Sequence, residues 1–324
     1  MEIKLKIIGE TMTTYLITGA TGYIGSMVAE KLVSENHHVI LLVRSPEKLK
    51  ESLQQKAGIV VGDVCDSVTW DAISSNIDYV IHCAAPTASA YMAAHPVETA
   101  ETIIEGTRNA LEFVRRCEGC RLLFLSSMEI YGRIECTDGR KVTEEELGYI
   151  DVSLPRSAYP MAKRMAEHIC FAYYEEYGVQ SVIARLAQTF GRGVLPSDHR
   201  VFAQFADSVR NGKDIILHTE GNSVGNYCDI DDVLTALKVL IKKGVSGQAY
   251  NVVNEKNTMT IKEMAELVVD KIANHKINIV FDIPKDNRYG YAANTGLRLS
   301  GEKLRKLGWE AEVSLEQMYR NMMK

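Results

Sequence analysis

Tyr159 and Lys163 stand four residues apart in a stretch with helical apolar spacing. On a helix, positions i and i+4 share a face, so the phenol and the ammonium project into one crevice. A positive charge beside a phenol favours the phenolate, and the pair therefore predicts a lowered pKa at Tyr159 and a general acid/base working near neutral pH. Upstream, Ser127 closes the apolar run Leu122-Leu123-Phe124-Leu125, where its hydroxyl could bond the same substrate oxygen that Tyr159 protonates. Glu129 lies two residues further on. Its carboxylate is read either as a group that moves a proton on carbon or as a loop cap or salt-bridge partner.

Residues of this kind need rigid elements to hold them, and the chain supplies an alternation of strand and helix signals. Tyr15-Leu16-Ile17 runs into Thr18-Gly19-Ala20-Thr21-Gly22-Tyr23-Ile24-Gly25, after which Val28, Leu32 and Val33 continue an apolar helical face. Three glycines at this spacing turn a strand sharply into a helix and leave bare amides for a pyrophosphate. Further strands are expected at Val39–Val43, Ile59–Val61, Tyr79–His82, Leu122–Leu125 and Val179–Leu186, with helices at Val97–Cys117 and Ala158–Tyr177. Such alternation makes a parallel sheet covered on both faces, here a doubly wound α/β fold. Gly19, Arg44, Asp63, Ala84 and Ser127 then fall at strand ends along one edge, outlining a cofactor trough. Shorter elements are expected at Val201–Val209, Ile215–Leu217, Asp231–Lys242, Ala249–Val252 and Ile261–Ile272.

The chain has 324 residues, 46% hydrophobic and 24% charged, with a net charge of −5. Without a basic excess, nucleic acid is not expected as a partner. No apolar run reaches spanning length and Met1-Glu2-Ile3-Lys4 opens no signal-peptide pattern, so the reading is cytoplasmic with no membrane partner. Seven cysteines fit reduced thiols, and Cys117-Glu118-Gly119-Cys120, lacking a second ligand pair, is read as structural with no metal site. Residues 1–12 form an N-terminal arm, and Thr143-Glu144-Glu145-Glu146 is expected to be a solvated face or a helix start.

Taken together, these motifs resemble the extended short-chain dehydrogenases/reductases, in the branch of nucleotide-sugar epimerases, dehydratases and decarboxylases. The likeness is carried by the glycine stretch 18–25, Gly62-Asp63, His82-Cys83-Ala84-Ala85, Ser126-Ser127-Met128-Glu129-Ile130-Tyr131-Gly132, Tyr159 with Lys163, Arg185-Leu186-Ala187-Gln188-Thr189-Phe190-Gly191, and Leu304-Arg305-Lys306-Leu307-Gly308-Trp309. The resemblance implies a Rossmann-type NAD(P)-binding domain over 13–190, to which later segments return, and a smaller C-terminal α/β substrate-binding lobe over mainly 191–324. It implies that Ser127, Tyr159 and Lys163 form the catalytic set, with Lys163 also holding the nicotinamide ribose and Glu129 acting at C5 of a 4-keto sugar. Gly19, Thr21, Gly22, Tyr23, Ile24 and Gly25 would line the pyrophosphate, Asp63 and Val64 the adenine, and Ala84 and Ala85 the inner side of the cofactor.

The implied chemistry is transient hydride transfer at C4 of a nucleotide-diphosphate sugar, with Tyr159 moving the hydroxyl proton. NADP is favoured by Arg44 at the end of the second strand, where no carboxylate follows until Glu47; NAD remains open. Candidate substrate contacts are Thr87, Ser127, Gln188, Arg200 and Arg288. The chain departs from the family pattern at Met128, where classical 4,6-dehydratases carry an aspartate, and at Ile103 and Gln188, where asparagines are usual. It departs again at Gly225, the slot of an arginine that grips the diphosphate. The leading expectation is therefore an epimerase, dehydratase or decarboxylase. The alternative is an NADPH-dependent carbonyl or keto-sugar reductase, and a non-catalytic cofactor sensor stands third. A homodimer through the helix of Tyr159 and the preceding long helix is expected by the same likeness.

Overall fold

The computed structural model describes residues 12–134, 139–284 and 295–324, so the expected arm, apart from Met12, and the candidate Arg288 lie outside the described residues. Six strands, β1 (Thr14–Thr18), β2 (His38–Val43), β3 (Gly58–Val61), β4 (Tyr79–His82), β5 (Arg121–Ser127) and β6 (Ser181–Leu186), are joined by a late strand, Gln248–Val252, in one sheet. Its order is Gln248–Val252, β6, β5, β4, β1, β2, β3, and every pairing is parallel. The chain starts in the middle and winds outward both ways, so β1 and β4 flank the point where the connections diverge. That is where a doubly wound sheet opens its crevice.

Side-chain alternation puts each strand into two cores. Tyr15 and Ile17 of β1, Leu123 and Leu125 of β5, and Val182 and Ala184 of β6 face one hydrophobic cluster. Leu16, Leu122, Phe124 and Ile183 face the other. This double burial is why the strands read as continuous apolar runs. The helix Pro96–Arg116 covers the second cluster, beginning on Pro96, whose missing N–H is no loss there, and ending on Arg115 and Arg116, favourable beside its carbonyls.

The helix Ala158–Tyr177 lies beside it and stops at Gly178, whose φ of 70° lets its N–H return to Tyr174 and that of Val179 to Tyr173. A third cluster is built wholly from residues between Phe190 and Met323, centred on Phe190, Phe202, Tyr227 and Tyr319. Short pairings brace that region: Gln188–Phe190 with Tyr227–Asp229, Val224–Gly225 with Met259–Thr260, and Ile279–Phe281 with Ile215–Leu217. No described helix is long and apolar enough to cross a membrane.

Candidate active site

The glycine turn packs backbone on backbone. Gly19 has a φ of +71°, and a Cβ there would come within 2.8 Å of the Ala84 nitrogen at the end of β4. A Cβ on Gly25 would lie 2.3 Å from the Gly19 carbonyl oxygen, so only glycine lets the first helical turn sit this close. The helix Tyr23–Ser34 starts at Gly22 with no side chain capping it, which leaves amides facing the crevice. That is the cradle a pyrophosphate needs. Thr21 and Gly22 are exposed at the rim, whereas Ile24 packs on the first core. Tyr23 donates its hydroxyl to the Arg192 carbonyl at 2.9 Å, tying the loop after Gln188–Phe190 over the turn.

Beside it, the Thr18 hydroxyl bonds His82 Nδ1 at 2.8 Å and accepts the Ala84 N–H at 3.2 Å, locking the ends of β1 and β4. Burial, reinforced by the Lys163 charge, lowers His82 to about 3, so the ring is neutral. Ala84 and Ala85 are half-buried along this edge. Val64 is buried, its carbonyl accepting from Trp70 Nε1 at 2.9 Å and Asn109 Nδ2 at 3.0 Å. Asp63 accepts the Cys65 N–H at 2.9 Å, and Arg44, largely exposed, reaches the other Asp63 oxygen at 3.6 Å. The residues expected to line a dinucleotide therefore share one edge, and the donor set fits that group.

Ser127 ends β5, and its hydroxyl accepts the Glu129 N–H at 3.2 Å, opening the short turn Met128–Tyr131. Tyr159, in the first turn of its helix, has its phenol near enough to Ser127 for that hydroxyl to favour the ionised form. Lys163 follows on the same face, buried, with Nζ 2.6 Å from the Leu125 carbonyl oxygen and 4.5 Å from the centre of the Phe124 ring. The expectation of a lowered phenol pKa does not hold for the protein alone. Burial, then the Glu129 charge, pushes Tyr159 up to about 12 against the opposing pull of Ser127, Arg156 and Arg200. Lys163 is itself lowered to about 8 by burial, and its proton is directed at a carbonyl.

Arg156 is a residue that the spacing of Tyr159 and Lys163 did not bring out. It sits on the turn Pro155–Ser157, its Nη2 2.9 Å from both Glu129 oxygens and its Cζ 5.4 Å from the centre of the Tyr159 ring. Its place three residues before Tyr159 was the available signal. Beneath the site runs a buried polar network. Arg185 binds Glu167 through Nε at 3.1 Å and Nη2 at 2.8 Å, and Glu167 also accepts the Ser126 hydroxyl. Arg185 Nη1 reaches the Tyr131 phenol at 3.1 Å and the Glu144 carbonyl at 2.7 Å. Glu144 is thus buried, its carboxylate accepting the Asn251 N–H at 2.7 Å, which corrects the expectation of a solvated face at this residue, where the Arg185 side chain draws the turn inward, while Glu145 beside it is exposed as expected.

On the substrate side, Thr87 is exposed on the loop after β4 and Gln188 is half-buried at a strand start. Arg200 forms a bidentate pair with Asp198, stacks 4.7 Å from the Phe202 ring centre, and acts electrostatically on both Tyr23 and Tyr159. At Gly225 a Cβ would meet the Tyr227 hydroxyl at 2.2 Å, so the phenol fills the space a larger residue would need. Cys117 and Cys120 are buried free thiols at the handover from helix to β5, and no three His, Cys, Asp or Glu side chains among the described residues are placed to hold a metal.

The chain is 28% identical to the UDP-glucuronic acid decarboxylase 1 of Danio rerio, covering 93% of this chain and 70% of that protein. It is also 28% identical to the UDP-glucuronic acid decarboxylase 6 of Arabidopsis thaliana, over 93% and 85%. The crystal structure of UDP-glucose 4-epimerase with UDP-glucose from Thermotoga maritima superposes with a TM-score of 0.83 at 24% identity, over 96% of this chain and 97% of that one. Residues 15–253 match the NAD dependent epimerase/dehydratase family, and with so much of the chain matched, it belongs to that family.

Proposed function

We propose that this chain is an enzyme that transforms a nucleotide-diphosphate sugar by transient oxidation at C4, as an epimerase, dehydratase or decarboxylase. The observation that carries the reading is the union of Ser127, Tyr159 and Lys163 at the carboxyl edge of the sheet, with Glu129 acting on the same phenol. When bound, the nicotinamide dinucleotide supplies the redox chemistry at the sugar carbon. Tyr159 Oη takes the sugar hydroxyl proton and later returns it, while Ser127 Oγ hydrogen-bonds the same oxygen. Lys163 uses one of three N–H donors on Leu125 and has others for the ribose hydroxyls and for favouring the phenolate. Glu129 is the carboxylate that takes up the C5 proton once a ketone stands at C4. Arg200 is the cation for the diphosphate, with Thr87 and Gln188 toward the sugar.

We favour NADP because the exposed Arg44 guanidinium at the β2 end can pair with a ribose 2′-phosphate and the chain carries no carboxylate of its own from there until Glu47, although Asp63 from the next strand end stands 3.6 Å from that guanidinium. We assign Met161, Met165 and Phe171, exposed on the helix Ala158–Tyr177, to a homodimer contact, and place the protein in the reducing cytoplasm. A second reading is favoured by Tyr227. Its phenol fills the space above Gly225, removing a diphosphate grip at that point, and this suits a keto substrate reduced at the expense of NADPH.

The deciding experiment incubates the protein with UDP-glucose, UDP-glucuronate and dTDP-glucose, following absorbance at 340 nm and the product by NMR. Turnover without net absorbance change supports the first reading. Stoichiometric NADPH loss with a keto substrate supports the second.

A further inference from the structure

The two turns that carry the reacting hydroxyls are far apart in the chain, and one ion pair joins them. Glu129 lies on the turn that follows Ser127, and Arg156 lies on the turn that leads into Tyr159. A single nitrogen, Nη2, sits 2.9 Å from each Glu129 oxygen, which holds the carboxylate symmetrically against the guanidinium. The guanidinium stacks toward the Tyr159 ring at 5.4 Å. The other terminal nitrogen, Nη1, is buried and has no hydrogen-bond partner. A buried unpaired donor on a charged group is costly, so this nitrogen calls for an acceptor beyond the protein's own atoms, a water or a ligand oxygen.

We propose that Arg156 is a positioning residue that clamps the Glu129 carboxylate beside the Tyr159 phenol and offers Nη1 to an oxygen of the bound sugar. The proposal rests on the reading of Tyr159 as acid/base. The groups that face the phenol are Ser127 and Glu129 from the β5 end, Arg156 from the turn, Arg200 from the start of the helix Val201–Arg210, and Lys163 one helical turn on. Of these charges, only Glu129 favours the protonated phenol, and Arg156 neutralises it directly. Loss of Arg156 leaves that carboxylate unopposed and free to swing, so the phenol becomes harder to ionise and the proton acceptor loses its place.

The test reads the phenol itself, and needs no substrate. Tyrosinate absorbance at 295 nm is titrated with saturating NADP, and the trace of a Tyr159→Phe variant is subtracted to isolate Tyr159. In Arg156→Met the step moves up by about one pH unit, a tenfold change in the acid constant. In Arg156→Lys it moves by less, and in Arg156→Met/Glu129→Gln it returns to or below the parent value. With whichever nucleotide sugar is turned over, Arg156→Met lowers kcat and raises KM, each by about tenfold, and leaves the NADP affinity unchanged. A phenol step that stays in place in Arg156→Met, or a shift of equal size with and without Glu129, overturns the proposal. Full turnover by Tyr159→Phe sinks the acid/base reading instead, so the two failures are told apart.

Discussion

The Lys163 ammonium sits 2.6 Å from the Leu125 carbonyl oxygen and 6.0 Å from the centre of the Tyr159 ring. This lysine is committed to the backbone at the end of β5, and burial, Glu129, Ser127, Arg156 and Arg200 set the ionisation of the phenol in its place.

That placement has a measurable pH signature. Burial lowers Lys163 from its ordinary value of 10.5 to about 8, so between those limits the unfolded chain binds the extra proton. The cost of burying the ammonium is fully present below about pH 8 and fades as pH rises toward 10.5. Lys163→Met should therefore gain against the parent by about 1–3 kcal/mol at pH 7 relative to pH 10. Thermal unfolding of both proteins without cofactor checks this, and a stability difference that does not vary with pH refutes it.

Asp229 gives a signature of the opposite sense in the acid range. One carboxylate oxygen caps the helix Ile230–Lys243 through the Asp231 N–H at 2.8 Å, and the other is buried without a partner. Burial, with the Asp231 and Asp232 charges, raises its pKa to about 6 against the pull of that N–H and of Arg192. The folded protein thus holds a proton that the unfolded chain releases near its ordinary value of 3.8, and stability falls as pH climbs from about 4 to 6. Asp229→Asn keeps the cap oxygen and removes the charge. It should be more stable than the parent by about 1–2 kcal/mol at pH 7 and no more stable at pH 4. Urea unfolding at the two pH values measures this directly.

Arg185 and Glu167 are a third case, where removing one partner strands the other. Both are buried, and Glu167 would keep only the Ser126 hydroxyl. Arg185→Met should cost about 3–5 kcal/mol, seen as a marked fall in Tm. Adding Glu167→Gln should recover a substantial part of that loss. A double variant no better than Arg185→Met would show that packing, not the stranded charge, sets the cost.

Much of the framework was legible because its signals are local. The helix Ala158–Tyr177 is bounded by Pro155 before it and Gly178 after it, and the β1–β6 strands are apolar on both faces, so period and punctuation agree. The glycine turn was legible for the same reason, since three residues within one turn carry the close approach. The Arg156–Glu129 pair and the Arg185 network join residues that meet only after the sheet assembles, and the place of Arg156 three residues before Tyr159 does not say which carboxylate it meets. The Tyr159 phenol shows the limit most plainly. Four-residue spacing places a lysine on its face, but the burial that raises the phenol comes from neighbouring elements of the fold. The pairing of Tyr227–Asp229 with Gln188–Phe190 is three residues long, too short to leave a period.

The strand Gln248–Val252 lies at the edge of the sheet, hydrogen-bonded to β6. Everything from Ala187 to Gly247 is therefore synthesised before the first sheet can be completed. A nascent chain emerging from the ribosome has β6 exposed along one whole flank until that last strand arrives, an open template for pairing with another molecule. Fragments that end before residue 248 inherit the same bare flank. In chain order the sheet is finished by its last strand, whose pairing with β6 bridges the whole stretch from Ala187 to Gly247.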